Sequence, residues 1–222
     1  MKSSYEQEWE KYWLTHEKSF FGKVSSFYRK NILSHYVKKV LDLYFLQSGY
    51  YVDCGSGSSE SSMRLNASEK NYIAFDVSGN AVSRAIERFE NIEGIVGDVF
   101  HLPFKDKSIS GIYNLGVMEH FYENELTCIL KEFSRVLKED SYVVLFWPYQ
   151  NGFSQVVLDS IGFFLTKVLR KKFWYTPSEI TRLKSKAHAG LLINNTGLLM
   201  ERIHFSYGDI FTHYVVVAKK KA

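Results

Sequence analysis

Apolar residues recur every three or four positions through the first part of the chain, which is the spacing of amphipathic helices. Between positions 5 and 20 the recurring residues are aromatic and are separated by charged ones. A second, broader apolar stripe runs from about 23 to 46, and Gly49 interrupts it. The pattern therefore predicts two amino-terminal helices.

From position 50 onward, short apolar runs alternate with amphipathic stretches. The runs typical of buried strands cover residues 50–52, 72–75, 92–96, 109–115 and 141–147. Helical spacing predicts a helix that starts within 58–65 and further helices over 80–89 and 124–137. Because strands and helices alternate, we expect a parallel sheet with helices on both faces and right-handed crossovers.

The last part of the chain breaks this alternation. A helix is predicted over 177–188, and two strand-like runs follow over 198–205 and 211–218, with Gly208 and Asp209 between them. Strands joined by a short polar loop of this kind form an antiparallel hairpin. The sequence thus predicts an α/β fold: a Rossmann-like, doubly wound, mostly parallel seven-stranded sheet that ends in an antiparallel hairpin, preceded by amino-terminal helices.

Composition and charge narrow the function only slightly. A length of 222 residues suits a single domain, and a net charge of +4 is too small to indicate a nucleic-acid partner. Cys54 and Cys128 lie too far apart for a metal or redox motif, so no metal is expected. Since neither a secretory signal nor a membrane-length apolar run is visible, we expect a cytoplasmic protein.

A glycine turn follows the first predicted strand, in Asp53-Cys54-Gly55-Ser56-Gly57. Glycines at this place let backbone amides approach a ligand, although tight turns also use them for structural reasons alone. Asp76 ends the second strand, where an acid can bind ribose hydroxyls. Asp98 ends the third strand, where an acid beside Val99 can accept a hydrogen bond from an adenine amino group. Acids at three consecutive strand ends indicate a nucleoside site.

The turn also distinguishes between nucleoside cofactors. A dinucleotide site needs a third glycine, and Glu60 stands at that position, where its charge is expected to face a pyrophosphate. Asp53 suits a cationic amino group and would repel a phosphate. An adenosine cofactor with an ammonium group therefore fits better than NAD, which is kept as an alternative.

These segments resemble the class I S-adenosylmethionine-dependent methyltransferases. Residues 53–57 look like the first motif of that family, 75–78 like the second and 97–104 like the third. Residues 115–121, 133–138 and 175–180 are similar to the small-molecule branch that includes the ubiquinone and menaquinone methyltransferases. The resemblance runs in consistent order from about 50 to 191. Three positions depart from it: Ser59 replaces the last glycine of the first motif, Ser110 replaces an acid that enters the fourth strand, and Ile109 stands where relatives often have Phe.

The resemblance implies S-adenosylmethionine as cofactor and S-adenosylhomocysteine as product. Asp53 and the turn would hold the methionine part, Asp76 the ribose, Asp98 the adenine, and the backbone after the fourth strand would face the sulfonium. The expected cofactor-binding residues are Asp53, Cys54, Gly55, Ser56, Gly57, Asp76, Val77, Asp98, Val99, Asn114, Leu115 and Gly116.

Methyl transfer from a sulfonium depends on alignment and on exclusion of water more than on catalytic groups. A base helps when the acceptor is an oxygen or carbon acid, and His120 after the fourth strand is the candidate. The alternative is a structural histidine, bonded within its own loop or to Glu119. Tyr149, after the fifth strand, is a candidate substrate contact, and His188 is a weaker candidate for catalysis.

The remaining segments are assigned to substrate binding within a single domain, 1–222. We expect a helical lid or cap over 1–48, a cofactor-binding core over 49–148, a substrate-cap insertion over 149–175, and a helix with the hairpin over 176–222. Tyr5, Trp9 and Trp13 would contact substrate, or would only pack the first helix on the core. The apolar insertion would roof a substrate or make a peripheral membrane contact.

We therefore expect an enzyme that transfers a methyl group from S-adenosylmethionine to an oxygen, carbon or nitrogen of a small-molecule or lipid-like acceptor. Two rival functions stay open: a regulatory module that binds the cofactor without turnover, and a nicotinamide-dependent oxidoreductase. A protein substrate is also an open alternative.

Overall fold

The computed structural model describes residues 4–15, 20–65, 70–89, 92–149, 179–205, 208–209 and 213–221. Its strands are β1 Gly49–Cys54, β2 Lys70–Asp76, β3 Ile92–Val96, β4 Ile109–Leu115, β5 Leu137–Pro148, β6 Leu198–Phe205 and β7 His213–Lys220. They form one seven-stranded sheet in the order β3-β2-β1-β4-β5-β7-β6. The first five strands are parallel, and β7 runs antiparallel to both β5 and β6. The predicted α/β fold with a closing antiparallel hairpin is confirmed.

Six α-helices accompany the sheet within the described residues. They are α1 Ser4–Thr15, α2 Phe20–Tyr28, α3 Ser34–Tyr44, α4 Gly79–Arg88, α5 Glu123–Val136 and α6 Lys186–Ile193. A π-helical turn, Arg29–Leu33, joins α2 directly to α3, so the second predicted helix is one continuous helical segment. None of the described helices is long and apolar enough to cross a membrane.

Alternate residues of the central strands face two separate cores. On β5, Val143, Leu145 and Trp147 pack in the core that contains the apolar residues of α5 and α6. Val144 and Phe146, which point to the other side, pack in the core that contains the apolar residues of α3. This is the two-sided burial that a parallel sheet requires, and it explains why the central strands read as continuous apolar runs.

The strand registers bring the functional positions to one edge of the sheet. Cys54 pairs with Phe75, and Asp76 pairs with Val96, so β1, β2 and β3 end almost level. Asn114 pairs with Leu145 on β5, which continues to Pro148 beside His213. The carboxyl ends of the parallel strands and the start of β7 therefore meet at the same edge, where open α/β sheets bind ligands.

Two predicted helices differ from the structure. In place of a helix within 58–65, the chain makes a short 3-10 turn, Glu60–Ser62. The helix predicted over 177–188 begins only at Lys186, with Ser185 as its cap. The residues before it are extended because the Ile180 and Thr181 amides donate to the Glu119 carbonyl oxygen, at 2.5 and 2.9 Å. Tertiary hydrogen bonds thus replace the helical ones in this segment.

Ile129 and Cys128 are adjacent on α5, but Ile129 is fully buried and Cys128 is exposed. Ile129→Ala removes three carbons from a packed core, and we expect it to lower the free energy of unfolding by about 2–5 kcal/mol. Cys128→Ala, the matched control, should change it by no more than about 0.5 kcal/mol. Urea denaturation of both variants measures the difference. Equal effects would contradict the packing described here.

Candidate functional site

The turn after β1 has backbone conformations that glycine adopts easily and residues with larger side chains rarely adopt. Gly55 and Gly57 have φ angles of 77° and 52°, in the left-handed region where a side chain is strained. Ser59, which replaces the expected last glycine, also has φ 52° and so takes a glycine-like conformation. The amides of Gly55 and Ser56 donate to the Phe75 carbonyl oxygen at 2.7 and 3.1 Å, which fastens the turn to β2.

Asp76 holds this turn against the end of the second strand. Its Oδ2 accepts from the Gly57 amide at 2.8 Å, and its Oδ1 accepts from the Ser78 amide at 2.9 Å. Burial raises the pKa of Asp76 to about 6, although these backbone hydrogen bonds lower it. Each carboxylate oxygen keeps a second lone pair, which a ribose hydroxyl can use. Val77 follows directly and is partly buried.

Asp98 lies at the end of β3 with an exposed carboxylate. Its Oδ1 accepts from the Phe100 amide at 3.0 Å, so the side chain caps a turn as well as facing solvent. Val99 beside it is buried, and the Phe100 ring makes an edge-to-face contact with Phe121 at 5.4 Å. The result is an apolar wall with an acid at its rim, which is the arrangement expected for an adenine.

Asp53 lies deeper than the sequence suggests. Its carboxylate is fully buried and accepts from the Ser62 hydroxyl at 2.7 Å, and Ser62 in turn accepts from the Tyr113 hydroxyl at 2.8 Å. Burial raises the pKa of Asp53 to about 7. Contact with a ligand ammonium therefore stays a prediction for Asp53, and among the described residues this acid supports the turn from below.

Asn114 ends β4 with a completely buried side chain whose amide nitrogen and oxygen have no hydrogen-bond partner among the described residues. Buried amides are rarely left in that state, so both atoms call for a hydrogen-bond partner. Leu115 and Gly116 follow, and Gly116 has φ 69°. A side chain at Gly116 would lie 3.4 Å from Glu119 Oε1, which places that carboxyl against the backbone expected to face the sulfonium.

Glu119 and His120 occupy a 3-10 turn after β4 and are both buried. His120 Nε2 lies 3.8 Å from Glu119 Oε1, and the His120 ring meets the edge of Trp9 at 5.0 Å. Burial raises the pKa of Glu119 to about 8, with a further rise from Glu179. Glu119 Oε2 has no hydrogen-bond partner in the described part of the chain. The structure thus brings the predicted base close to a carboxyl that is mostly protonated at neutral pH.

Helix α1 covers this edge of the sheet with its aromatic face. The Trp13 ring lies directly on Gly57, where an added Cβ would approach its carbons to 2.3 Å. Tyr5 packs against Phe121 at 5.5 Å, and its hydroxyl lies close enough to Asp76, Asp98 and Glu119 for their charges to add to the rise in its pKa caused by burial. Tyr5, Trp9 and Trp13 are therefore brought to the site, above the strand ends.

Polar contacts fix α1 in this place. Glu10 accepts hydrogen bonds from the Ser78 hydroxyl at 2.5 Å and from the Asn80 amide at 2.6 Å, at the start of α4. Arg84 Nη1 donates to the Trp13 carbonyl oxygen at 2.6 Å. No local pattern indicates this role of Glu10, because its partners lie 68 and 70 positions away along the chain.

Glu60 corrects one argument made from the sequence. Its buried carboxylate does not oppose a ligand charge, because it is paired with Arg29, Lys30 and Arg88 at 2.9, 3.2 and 3.1 Å. Burial raises the pKa of Glu60, but Arg29, Lys30 and a hydrogen bond from Ser26 outweigh it, so this pKa lies below its usual value. The expected repulsion between Glu60 and a pyrophosphate is therefore wrong as a ground for rejecting a dinucleotide.

A second histidine was missed in the sequence. His213 begins β7, is buried, and has Nδ1 2.6 Å from Oδ2 of the fully buried Asp209. Because a carboxylate oxygen only accepts hydrogen bonds, Nδ1 is the donor in this contact. His213 also lies close enough to Glu119 to lower its pKa. The spacing Asp-x-x-x-His was visible, but only the register with Pro148 places it at this edge.

The other predicted residues lie at the margin of the site or outside the described residues. Tyr149 packs against Tyr214 and Phe205, with ring centroids at 4.8 and 5.8 Å. The His188 amide donates to the hydroxyl of Ser185, which caps α6, and the His188 Nε2 lies 3.1 Å from a Glu123 carboxylate oxygen. The segment 150–178, which includes most of the predicted substrate-cap insertion, lies outside the described residues.

Comparison with known proteins finds similar sequences and similar folds. The family profile described as a methyltransferase domain matches residues 52–145. The ubiquinone/menaquinone biosynthesis C-methyltransferase UbiE of Campylobacter jejuni is 25% identical over 196 residues, which cover 81% of this chain and 80% of that protein.

Two solved structures share the fold. A SAM-dependent methyltransferase from Methanosarcina mazei has a TM-score of 0.63 at 18% identity, over 82% of this chain and 96% of the other. The magnesium protoporphyrin IX methyltransferase of Synechocystis PCC 6803, solved with bound SAH, has a TM-score of 0.65 at 15% identity, over 99% and 95% of the two chains.

The raised pKa of Glu119 has a consequence for stability. An unfolded glutamate ionises near pH 4.5, whereas the buried one holds its proton to about pH 8, so the native state binds more protons between these values. The free energy of unfolding should fall across that window as pH rises. Glu119→Gln, which stays neutral, should flatten the fall by an amount on the order of 3 kcal/mol. Urea denaturation at pH 5 and pH 8 measures it, and equal pH dependence in both proteins would contradict the burial of this carboxyl.

Proposed function

We propose that this chain, which belongs to the class I S-adenosylmethionine-dependent methyltransferases, methylates a small-molecule acceptor at an oxygen, carbon or nitrogen atom. The observation that carries the proposal is the position of Asp76. Its carboxylate is bound to the Gly57 and Ser78 amides, so the glycine turn and an acid suited to ribose hydroxyls form one unit at the sheet edge. A methyltransferase domain spans the same unit.

The residues at this edge fit the cofactor. Buried polar atoms without a described partner surround the turn and the end of β4, among them the hydroxyls of Ser58 and Ser59 and both amide atoms of Asn114. Such atoms need a partner, and a ligand with hydroxyl, amino and carboxylate groups supplies them. We assign Asp76 and Val77 to the ribose and Asp98 and Val99 to the adenine. The turn over residues 53–57 is assigned to the methionine part, and residues 114–116 to the sulfonium.

S-adenosylmethionine supplies an electrophilic methyl group on a sulfonium. The chain itself positions the reacting groups and excludes water from them. Helix α1 lies over the strand ends with Tyr5, Trp9 and Trp13, and its contacts through Glu10 and Arg84 hold it there. We therefore assign residues 1–48 to a cap that excludes water from the reacting groups.

His120 is the proposed base for an oxygen or carbon acid. It sits after β4 with Glu119 at 3.8 Å. Once Glu119 is ionised, its charge favours the imidazolium that His120 becomes when it takes a proton. His213, oriented by Asp209 through its Nδ1, is a second histidine at the same edge. Loss of either ring should lower turnover more than cofactor affinity.

The acceptor is proposed to be small and largely apolar. Aromatic residues dominate the described surface of the site, with Tyr149 at its margin. The relative UbiE is named for ubiquinone and menaquinone biosynthesis, which supports an aromatic acceptor of that general kind. A cytoplasmic location, a peripheral membrane contact through the insertion, and the division at 48, 148 and 175 are parts of this proposal.

Turnover separates the enzyme from a module that only binds the cofactor. The chain should transfer labelled methyl groups from S-adenosylmethionine to at least one member of a panel of hydroquinones, catechols, phenols, amines and short peptides. Label in the organic-soluble acceptors supports the proposal, and label in peptides alone would contradict the acceptor class. Cofactor binding without transfer to any of them would favour the regulatory module.

Asp76→Ala tests the cofactor site. At about 100 times Kd, a ligand stabilises the native state by about 2.7 kcal/mol, which raises the melting temperature by about 5–10 °C in a domain of this size. We expect S-adenosylmethionine and S-adenosylhomocysteine to produce this shift in the wild type and to lose it in Asp76→Ala. NAD should produce none. A shift with NAD alone would revive the oxidoreductase.

A further inference from the structure

Asp209 and His213 form a buried pair where the closing hairpin meets the ligand edge of the sheet. Asp209 is fully buried, and His213 is only 5% exposed. The Asp209 Oδ2 accepts two hydrogen bonds from His213, one from the ring Nδ1 at 2.6 Å and one from the backbone amide at 3.2 Å. A carboxylate that has lost water needs donors of this kind, and these two come from the same residue. The ring and the carboxylate are therefore held as one unit.

This unit is fixed from two sides. The Tyr28 hydroxyl on α2 donates to the Asp209 carbonyl oxygen at 2.7 Å, which fastens the residue to the amino-terminal helices. His213 pairs with Pro148 at the carboxyl end of β5, which fastens it to the sheet. A ring that is anchored in this way keeps one orientation at the edge where open α/β sheets bind ligands.

The His213 ring also lies beside the groups expected to surround the methyl donor. It is close enough to Glu119 to lower the pKa of that carboxyl. Glu119 Oε1 in turn lies against Gly116, in the backbone expected to face the sulfonium. Glu179 and Arg182, an ion pair at 2.5 Å, also act on Glu119, and their charges oppose each other. A methyl acceptor between the sulfonium and β7 would therefore lie beside His213.

The two histidines of the site differ in what supports the ring. Because Nδ1 of His213 donates to Asp209, Nε2 is the accepting nitrogen of the neutral ring. The carboxylate charge then favours the imidazolium that forms when Nε2 takes a proton. His120 Nε2 lies 3.8 Å from Glu119 Oε1, which is longer than a hydrogen bond, and that carboxyl is mostly protonated at neutral pH. His213 is therefore the better supported base.

We infer that His213, oriented by Asp209, takes the proton of an acceptor hydroxyl group during methyl transfer. The acceptor oxygen forms a bond to the methyl carbon, the bond between that carbon and sulfur breaks, and its electron pair stays on the sulfur of S-adenosylhomocysteine. The hydroxyl proton moves to His213 Nε2 and later to solvent. The inference rests on the proposed function, narrows the methylated atom to oxygen, and moves the role of base from His120 to His213.

4-Nitrophenol tests this assignment without turnover, because only its ionised form is yellow. The full chain is first saturated with S-adenosylhomocysteine, which fills the cofactor site but carries no sulfonium charge. The probe is then titrated about one pH unit below its pKa in water, where roughly a tenth of the free probe is ionised. The wild type should raise the ionised fraction of bound probe by about fivefold or more, measured by visible absorbance.

His213→Gln keeps a side-chain donor for Asp209 but cannot take a proton, so bound 4-nitrophenol should show about the ionised fraction of the free probe. Asp209→Asn is the second variant if His213→Gln does not fold, and it should lower the ionised fraction by about twofold or more. His35→Gln is the matched control, since His35 is exposed on α3 and should leave this fraction unchanged. Calorimetry should find S-adenosylhomocysteine bound within about twofold of the wild-type affinity in each protein.

His120→Asn separates the two histidines, because the probe stays ionised in this variant if His213 holds the proton. Ionisation that is lost in His120→Asn, alone or together with His213→Gln, would overturn the inference. A wild type that binds 4-nitrophenol without ionising it, or does not bind it, would overturn it as well. In these cases the wild type still binds S-adenosylhomocysteine, so the proposed function stands. If it does not bind that ligand, the proposed function fails and the inference fails with it.

Discussion

The hydrogen bond between the Gly57 amide and the Asp76 carboxylate organises this edge of the molecule. It connects the turn after β1 to the end of β2, and the second oxygen of Asp76 fixes Ser78 at the start of α4. The Ser78 hydroxyl then accepts a hydrogen bond from the Ala81 amide and donates one to the carboxylate of Glu10 on α1. One buried carboxylate therefore positions the turn, the next helix and the helix that covers the site. The Trp13 ring can rest on the turn only because residue 57 has no side chain.

The site contains acids that are costly to ionise as long as they are buried alone. Burial raises the pKa of Asp76 to about 6, that of Asp53 to about 7 and that of Glu119 to about 8. A cation nearby reverses this effect, because it favours the ionised form. A sulfonium and an ammonium group are such cations. The arrangement thus explains why a positively charged cofactor suits these strand ends.

Much of this arrangement could be predicted from local sequence. The strands were visible as apolar runs, and β4 has the predicted bounds of 109 and 115, because a strand buried on both faces allows few polar residues. The acids at the strand ends were visible because each stands at the end of such an apolar run. The helix expected over 177–188 was wrong, since backbone amides of that segment bond to Glu119 across the fold. Arg29 and Asp209 carried no recognisable motif. Their roles depend on Glu60, 31 positions from Arg29, and on a register that only the folded sheet defines.

A crystal structure of the chain with S-adenosylhomocysteine tests the central claim most directly. The account predicts that the ribose hydroxyls bind the Asp76 carboxylate, that the adenine lies beside Val99 with Asp98 at its edge, and that the ligand lies beneath α1. A ligand bound elsewhere on the protein, or one whose ribose does not contact Asp76, would contradict it.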